Sequence, residues 1–363
     1  MAFEIEFLAV GEGSRAGDCI LIRYGHPQAP RVMVIDGGTQ DSGGALVELL
    51  QGLTGSAVPV VHDLLVSHPD ADHASGALAI LEATAVEQVH VQVPWAHAEE
   101  VQRLVGDGRR TAQGIADRLR EDCPFVADIV AEAQRRRVPI FEPFQGSSVG
   151  PFTVLSPPQA AYPRLLLEML DIEPAAARQA SLAEALTKAM GGLMTAAARV
   201  AEAWGWETLR DGGVTSARNE MSTVLYGDFG GDGRVLLTAD AGLRGLGAAA
   251  DYAETYGLPL RDFRLVQVPH HGSRRNVGPS ILDRLVGPRL PEGTPAQFTA
   301  IVSAPKDDEK HPRKVVVNAF RRRGAEVMAT QGANILHRSG FPLRPGYGPA
   351  TPLPFYPTVE DYD

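Results

Sequence analysis

The sequence predicts an α/β fold in which two β-rich halves are layered around a helical middle. Three observations predict it. Short apolar or alternating runs, punctuated by Gly-rich turns, fill the first third of the chain. Two helical stretches, 98–137 and 158–212, interrupt the strand pattern. Strand-like runs then resume at Ser222 and alternate with helical segments toward the C-terminus.

In order along the chain, Phe3–Val10, Cys19–Tyr24 and Arg31–Ile35 read as a β-meander. A helix Gly44–Leu53, a buried strand Asp63–Ser67, a helix Ala74–Thr84 and a strand Gln88–Val93 follow. Residues 98–137 are helical with charged faces, and Val138–Pro157 returns to strand and turn. Within 158–212, Ser181–Trp204 is the clearest helix. Later strands are expected at Ser222–Gly227, Arg234–Thr238, Phe263–Val268, Ala300–Ser303 and Glu326–Ala329, with a helix at Arg313–Arg322. The expected organisation is one domain over 1–340 with both helical stretches as insertions, and a Pro-rich extended tail over 341–363.

The chain has 363 residues, 44% of them hydrophobic and 21% charged, enough for a sizeable core. Its formal charge of −10 argues against coating nucleic acid through a general positive field, while leaving room for a local basic groove. Two cysteines, Cys19 and Cys123, are too few for a disulfide framework, so a reducing, cytoplasmic setting is expected. The N-terminal residues lack a basic patch followed by an apolar stretch, and no window approaches the ~18 apolar residues of a membrane span. No membrane association is expected.

Chemistry concentrates in Ser67-His68-Pro69-Asp70-Ala71-Asp72-His73-Ala74-Ser75-Gly76. Four ligand-type side chains follow directly on an apolar strand, and a strand-to-helix loop lets such side chains converge on one point. Neutral imidazole and carboxylate suit Zn²⁺ or Mn²⁺. Asp72 or His73 alone would read as a helix cap; the group of four argues for metal ligands.

This segment resembles the HxHxDH signature of the metallo-β-lactamase superfamily, in an HxDxDH form. The resemblance extends to Phe7–Gly13 with Gly17–Ile22, similar to the opening of the ComEC-type competence-protein branch, although Ser14–Ala16 interrupt it and Ala9 stands where the branch has Asp. It extends also to Val34-Ile35-Asp36-Gly37-Gly38, to Leu236-Leu237-Thr238-Ala239-Asp240 and to Val268-Pro269-His270-His271-Gly272-Ser273. The resemblance implies a four-layer αβ/βα sandwich with helical insertions and a site for two divalent metal ions, Zn²⁺ or Mn²⁺, with Mg²⁺ also admissible. It implies His68 and Asp70 on one metal, Asp72 and His73 on the second, Asp240 bridging, His270 completing the second site, and Asp36 supporting the loop from beneath. Such a site makes a water nucleophilic near neutral pH. Many relatives carry another His about twenty residues before the bridging Asp; here Asn219 stands 21 residues before Asp240 (240 − 219). That leaves the first metal with an oxygen-rich set favouring Mn²⁺ or Mg²⁺, and Asn219 as a contact to substrate or to a ligand.

The resemblance further implies hydrolysis, with Asp72 essential and His311, in the late Ser303–Pro312 segment, as a substrate contact or proton donor. The bland alternative for that segment is a solvated charged loop. Within the branch, Asn219, Ser222, His271, Ser273 and Arg274 (with Arg275) are placed to contact substrate, which favours a phosphodiesterase or nuclease acting on nucleic acid or a nucleotide. The alternatives are a hydrolase of a small ester, thioester or lactam, and an inactive binding protein that keeps the fold. The triplets Arg135–Arg137 and Arg321–Arg323 read as helix-end or solvated clusters. The remaining histidines, His26, His62, His90, His97 and His337, read as structural or exposed. The insertions, with Trp204 and Trp206, are candidates for a lid, a partner-protein contact or a homo-oligomer contact.

Overall fold

The computed structural model describes residues 1–13, 16–106, 110–174 and 199–361. Its strands are β1 (Phe3–Phe7), β2 (Ile20–His26), β3 (Ala29–Ile35), β4 (Val60–Leu65), β5 (Ala85–His90), β6 (Ile140–Phe141), β7 (Ser148–Val149), β8 (Phe152–Ser156), β9 (Arg199–Ala201), β10 (Val224–Asp228), β11 (Arg234–Leu237), β12 (Leu265–Gln267), β13 (Phe298–Val302), β14 (Ala325–Ala329), β15 (Ile335–Ser339) and β16 (Thr358–Glu360). One sheet runs β15-β1-β2-β3-β4-β5-β6 and the other β14-β13-β12-β11-β10-β8-β7. In each, an antiparallel half joins a parallel half, at β3/β4 in the first sheet and at β10/β11 in the second.

The period-2 pattern of the strands decides the layering. Ile20 and Ile22 of β2, with Met33 and Ile35 of β3, meet Val235, Leu237, Leu265 and Ile301 of the second sheet in a core between the sheets. Leu21, Val32 and Val34, the alternating residues, face the helices Gln40–Thr54, Ala77–Ala83 and Pro124–Arg136 on the outside of the first sheet. Leu236, Val266, Ala300 and Val302 likewise face the helices Leu243–Thr255, Pro279–Leu285 and Lys314–Arg322 outside the second. The result is the expected four-layer αβ/βα sandwich. The helix Pro124–Arg136, read from sequence as part of an insertion, thus packs as part of the first outer layer. The helices Ala98–Val105, Ala112–Asp122 and Tyr162–Met169 form a satellite core of their own.

The helix Gln40–Thr54 starts ahead of its apolar stripe because the Thr39 hydroxyl accepts from Ser42 N at 3.4 Å, and it stops at Gly55, whose φ of 68° is left-handed. At its start the chain passes so close to the metal-loop segment that a Cβ on Gly37 would lie 2.1 Å from Ala77 N. Only glycine allows that approach.

Of the expected helix Ser181–Trp204, residues up to 198 lie outside the described residues, and the remainder departs from helix. Residues 199–201 form β9, paired with β16. The reason is Arg322, fully buried, whose guanidinium takes the carbonyls of Ala203 at 2.6 Å, Trp204 at 2.9 Å and Trp206 at 2.8 Å together with the Glu202 carboxylate at 3.1 Å. Turned outward to that guanidinium, these carbonyls accept no intrahelical bonds. Arg323 is equally buried, on Glu207 and Asp283. The triplet at 321–323 is therefore largely a buried ionic network instead of a solvated cluster. Arg135, by contrast, is exposed and paired with Glu132. Over its described residues, 341–361, the Pro-rich segment lies along the body: Phe341 and Val359 are buried, and Leu353 N donates to Val327 O at 2.8 Å.

The sequence reading assigns no strand to 335–339. It forms β15 by pairing with the edge of β1; beside it the buried Glu4 accepts Arg23 at 2.8 Å through Oε1, and the buried Glu6 accepts Asn334 at 3.0 Å, Arg344 and Tyr347. His337 on this strand stacks near Phe3, its Nε2 is buried without a partner, and burial aided by the charge of Arg264 pushes its pKa down to about 4. The unfolded imidazole titrates near ~6.5, so between those values the unfolded state binds more protons, and stability is lost as pH falls through that window. The urea midpoint is expected to be lower at pH 5 than at pH 7.5, and His337→Leu is expected to shrink the difference. An unchanged pH dependence in that variant would assign the loss to other groups.

Candidate metal centre

The centre forms where the ends of parallel strands from the two sheets face one another. In the first sheet β3 and β4 run in parallel, pairing Ile35 with Leu65, so the residues just beyond them emerge together. Asp36, at φ 58°, turns its carboxylate under the loop that follows β4. It accepts Ser67 N at 2.7 Å, Ser67 Oγ at 2.6 Å and His73 Nδ1 at 2.8 Å. Holding the proton on Nδ1 leaves His73 Nε2 as the outward lone pair. Asp36 thus holds both the loop after β4 and the His73 ring from beneath.

In the second sheet, the loop beyond β11 is held by Gln267. Its Oε1 accepts Thr238 N and Ala239 N, each at 3.0 Å, while its Nε2 donates to Asp18 Oδ2 at 2.7 Å. Asp240 follows, buried, with Oδ1 3.4 Å from His73 Nε2 and 3.8 Å from His271 Nε2. Its Oδ2 lies 3.8 Å from His68 Nε2 and 3.2 Å from His270 Nδ1. Each carboxylate oxygen thus faces imidazoles from both sheets.

His270 and His271 are consecutive left-handed residues, with φ of 46° and 54°. Such backbone is disfavoured for residues with a Cβ and persists only where its surroundings hold it. The consequence is that the two rings diverge, at 66° between planes. His271 Nδ1 donates to Ser303 O at 2.9 Å, which turns Nε2 toward Asp72 Oδ2, 4.0 Å away. His270 is partly exposed, and the Asn219 amide contacts its Nδ1.

Four buried donor atoms of this centre, His68 Nε2, His73 Nε2, Asp240 Oδ1 and His271 Nε2, have no hydrogen-bond partner. Buried polar atoms are usually satisfied; other unpartnered ones occur in the chain, but these four lie together and face one another, and every one is a good metal donor, which fits a cation. Three groups could hold an ion among the described residues: His68 with His73 and Asp240, Asp72 with His73 and His271, and Asp18 with Asp36 and His73.

The charges agree. Burial, reinforced by His73, pushes the His68 pKa down to about 4. For His73 burial acts the same way but is outweighed by Asp240 and Asp36, which hold the imidazole well above its ordinary value. For Asp240, burial is outweighed by His73, His271 and His270, which keep it well below the usual carboxylate range. Burial raises Asp70, against the lowering effect of Arg218.

The other expected residues lie as follows. Asn219 is buried, its Oδ1 accepting Ser216 Oγ at 2.7 Å. Ser222 is buried with its hydroxyl unpartnered. Ser273 accepts Arg275 N at 3.3 Å, and Arg274 reaches the Asp361 carbonyl. His311 pairs with Asp308 at 3.0 Å, and its loop docks on the histidine turn through Arg313 N to Gly272 O at 3.1 Å. His90 and His97 pair with Asp63 and Glu142, each at 3.0 Å, apart from the three ion-holding groups.

Sequence reasoning missed Gln267 and Arg218, and quoted Asp18 only as part of a motif. A polar Gln267 inside an otherwise apolar strand was a usable signal. Arg218 carried none, since its partner Asp70 lies 148 residues away.

Residues 13–157 match the family model described as Metallo-beta-lactamase superfamily. No curated protein matches the chain. Among solved structures it is similar to a mutant of the CmlA beta-hydroxylase (12% identity, 93% of this chain and 54% of that one, TM-score 0.42). It is also similar to a long form of RNase Z from yeast (11% identity, 92% and 41%, TM-score 0.35). A third is the metallo-beta-lactamase SMB-1 bound to 2-mercaptoethanesulfonate (10% identity, 74% and 82%, TM-score 0.31). The chain spans about half of the hydroxylase and two-fifths of the RNase Z. No helix among the described residues is long and apolar enough to cross a membrane. The family match covers residues 13–157, and the two mixed sheets with their outer helices are consistent with the four-layer sandwich of the metallo-beta-lactamase fold.

Proposed function

We propose that the chain is a metal-dependent hydrolase of phosphodiesters, acting on nucleic acid or a nucleotide. The observation that carries the proposal is the set of four buried, unpartnered donor atoms gathered around Asp240. Asp72, His73 and His271 with Asp240 would hold one divalent ion, and His68 and Asp70 with Asp240 would hold the other. The sequence reading gave the ligand role to His270 and the contact role to His271; the direction of His271 Nε2 supports the exchange of these two roles. When bound, Zn²⁺ or Mn²⁺ supplies an acidified water and compensates charge on the substrate.

The chain's own residues supply the rest. Asp36 and Ser303 fix the tautomers of His73 and His271, so that both keep a lone pair toward the centre. Asn219, Ser222 and Ser273 are short donors for phosphoryl oxygens, Arg274 offers charge to the flanking backbone, and His311, oriented by Asp308, gives a proton to the leaving oxygen. The Asn219–Ser222 and His270–Ser273 segments support the ComEC-type branch and hence a phosphodiester over a thioester or lactam.

Metal-dependent release of p-nitrophenol from bis-p-nitrophenyl phosphate tests the reading; turnover confined to thioesters or lactams would reject it. A paired comparison separates the two histidines. His271→Ala is expected to weaken metal binding by more than the ~10–100-fold that loss of an outer partner costs, and His270→Ala by less. The reverse order, measured by competition with a chromophoric chelator, would restore the ligand role to His270.

A further inference from the structure

We infer that the two cation subsites are unequal, and that Arg218 is the positioning residue that makes them so, by holding Asp70. The inference rests on the reading of the site as a metal centre and deepens it.

The donors facing the Asp72 side make no hydrogen bond among the described residues. His73 Nε2, His271 Nε2 and Asp240 Oδ1 are all buried and unsatisfied. The first two are tautomerically fixed from behind, by Asp36 and by the Ser303 carbonyl. A cation arriving there displaces no protein hydrogen bond and completes three groups at once.

The Asp70 side differs atom by atom. His68 Nε2 is its one donor among the unsatisfied buried atoms. Asp70 Oδ1 already lies 3.4 Å from Arg218 Nη1, while Arg218 Nη2 donates to Asp122 O at 2.8 Å, so the guanidinium is anchored from a second element. The nearby His270 Nδ1 is occupied by the Asn219 amide. A cation entering this side therefore meets a fixed positive charge on its carboxylate. It must share Asp70 with Arg218 or displace it. Both side chains are partly exposed, 28% and 31%, and solvent screening limits the effect to a modest factor.

Titration of Mn²⁺ into the metal-free full chain, followed by calorimetry and by the electron paramagnetic resonance signal of free Mn²⁺, tests this. The wild-type chain is expected to bind a first equivalent at least about tenfold more tightly than a second. Asp72→Ala is expected to remove the tight equivalent and His68→Ala the weak one. Arg218→Leu is expected to tighten the second equivalent by about tenfold and leave the first unchanged, which also certifies the fold, while Arg218→Lys keeps a gap. Equal affinities in the wild type, or a second equivalent that Arg218→Leu leaves unmoved or weakens, overturn the inference while the metal centre stands. Absence of any Mn²⁺ or Zn²⁺ uptake overturns both.

Discussion

Asp72→Ala is expected to abolish phosphodiester hydrolysis without unfolding the chain. The Asp72 side chain is 42% exposed and no hydrogen bond of the apo fold depends on it among the described residues, so its loss leaves the sandwich intact. Its ion-pair partner among the described residues is His271, whose Nε2 lies 4.0 Å away across the position proposed for a cation. Loss of a direct ligand should exceed the ~10–100-fold in metal affinity that loss of an outer partner costs. If the centre orients the nucleophile and compensates transition-state charge, the rate should fall by a further factor on the order of 10²–10³. The check is a steady-state rate on bis-p-nitrophenyl phosphate at saturating Mn²⁺, beside a thermal midpoint without metal. Turnover near the wild-type rate would remove Asp72 from the chemistry.

The largest effect on stability is expected far from that centre. Glu202→Ala leaves the fully buried Arg322 with its three carbonyl acceptors but without its counter-charge. It also removes acceptors from Asn318 and Thr208, whose bonds to Glu202 measure 2.5 and 2.9–3.1 Å. Removing one member of a buried ion pair costs about 3–5 kcal/mol, because an uncompensated charge stays in a low-dielectric interior. Replacing both, as Glu202→Leu with Arg322→Met, should cost less than Glu202→Ala alone if desolvation of the pair offsets its attraction. Urea unfolding measures both; a single variant as stable as the wild type would show that the guanidinium finds other compensation.

Two kinds of information meet in this chain. The cluster at His68–His73 was legible because its donors are close in sequence and follow a strand; Asp36 and Asp240 are named only through the family resemblance, since an Asp that ends an apolar run is common. The alternation of Ile20, Leu21 and Ile22, or of Met33, Val34 and Ile35, likewise encodes two-sided burial, and with it the layered sandwich. Elsewhere local pattern misled. The Ala-rich run ending at Trp204 reads as helix, yet 199–201 are strand, because a buried Arg322 from a distant helix takes the backbone carbonyls that follow.

By itself the sequence determined the alternating strands and the His68–His73 cluster that follows one of them, since both follow from period and spacing within short windows. Only the tertiary structure decided direction and partnership. It turned His271 toward Asp72 and His270 toward Asn219 through two consecutive left-handed residues, it set Gln267 on Asp18 across 249 positions, and it placed Arg218 on Asp70. Such contacts depend on backbone dihedrals and on packing between remote segments, and no local spacing records either.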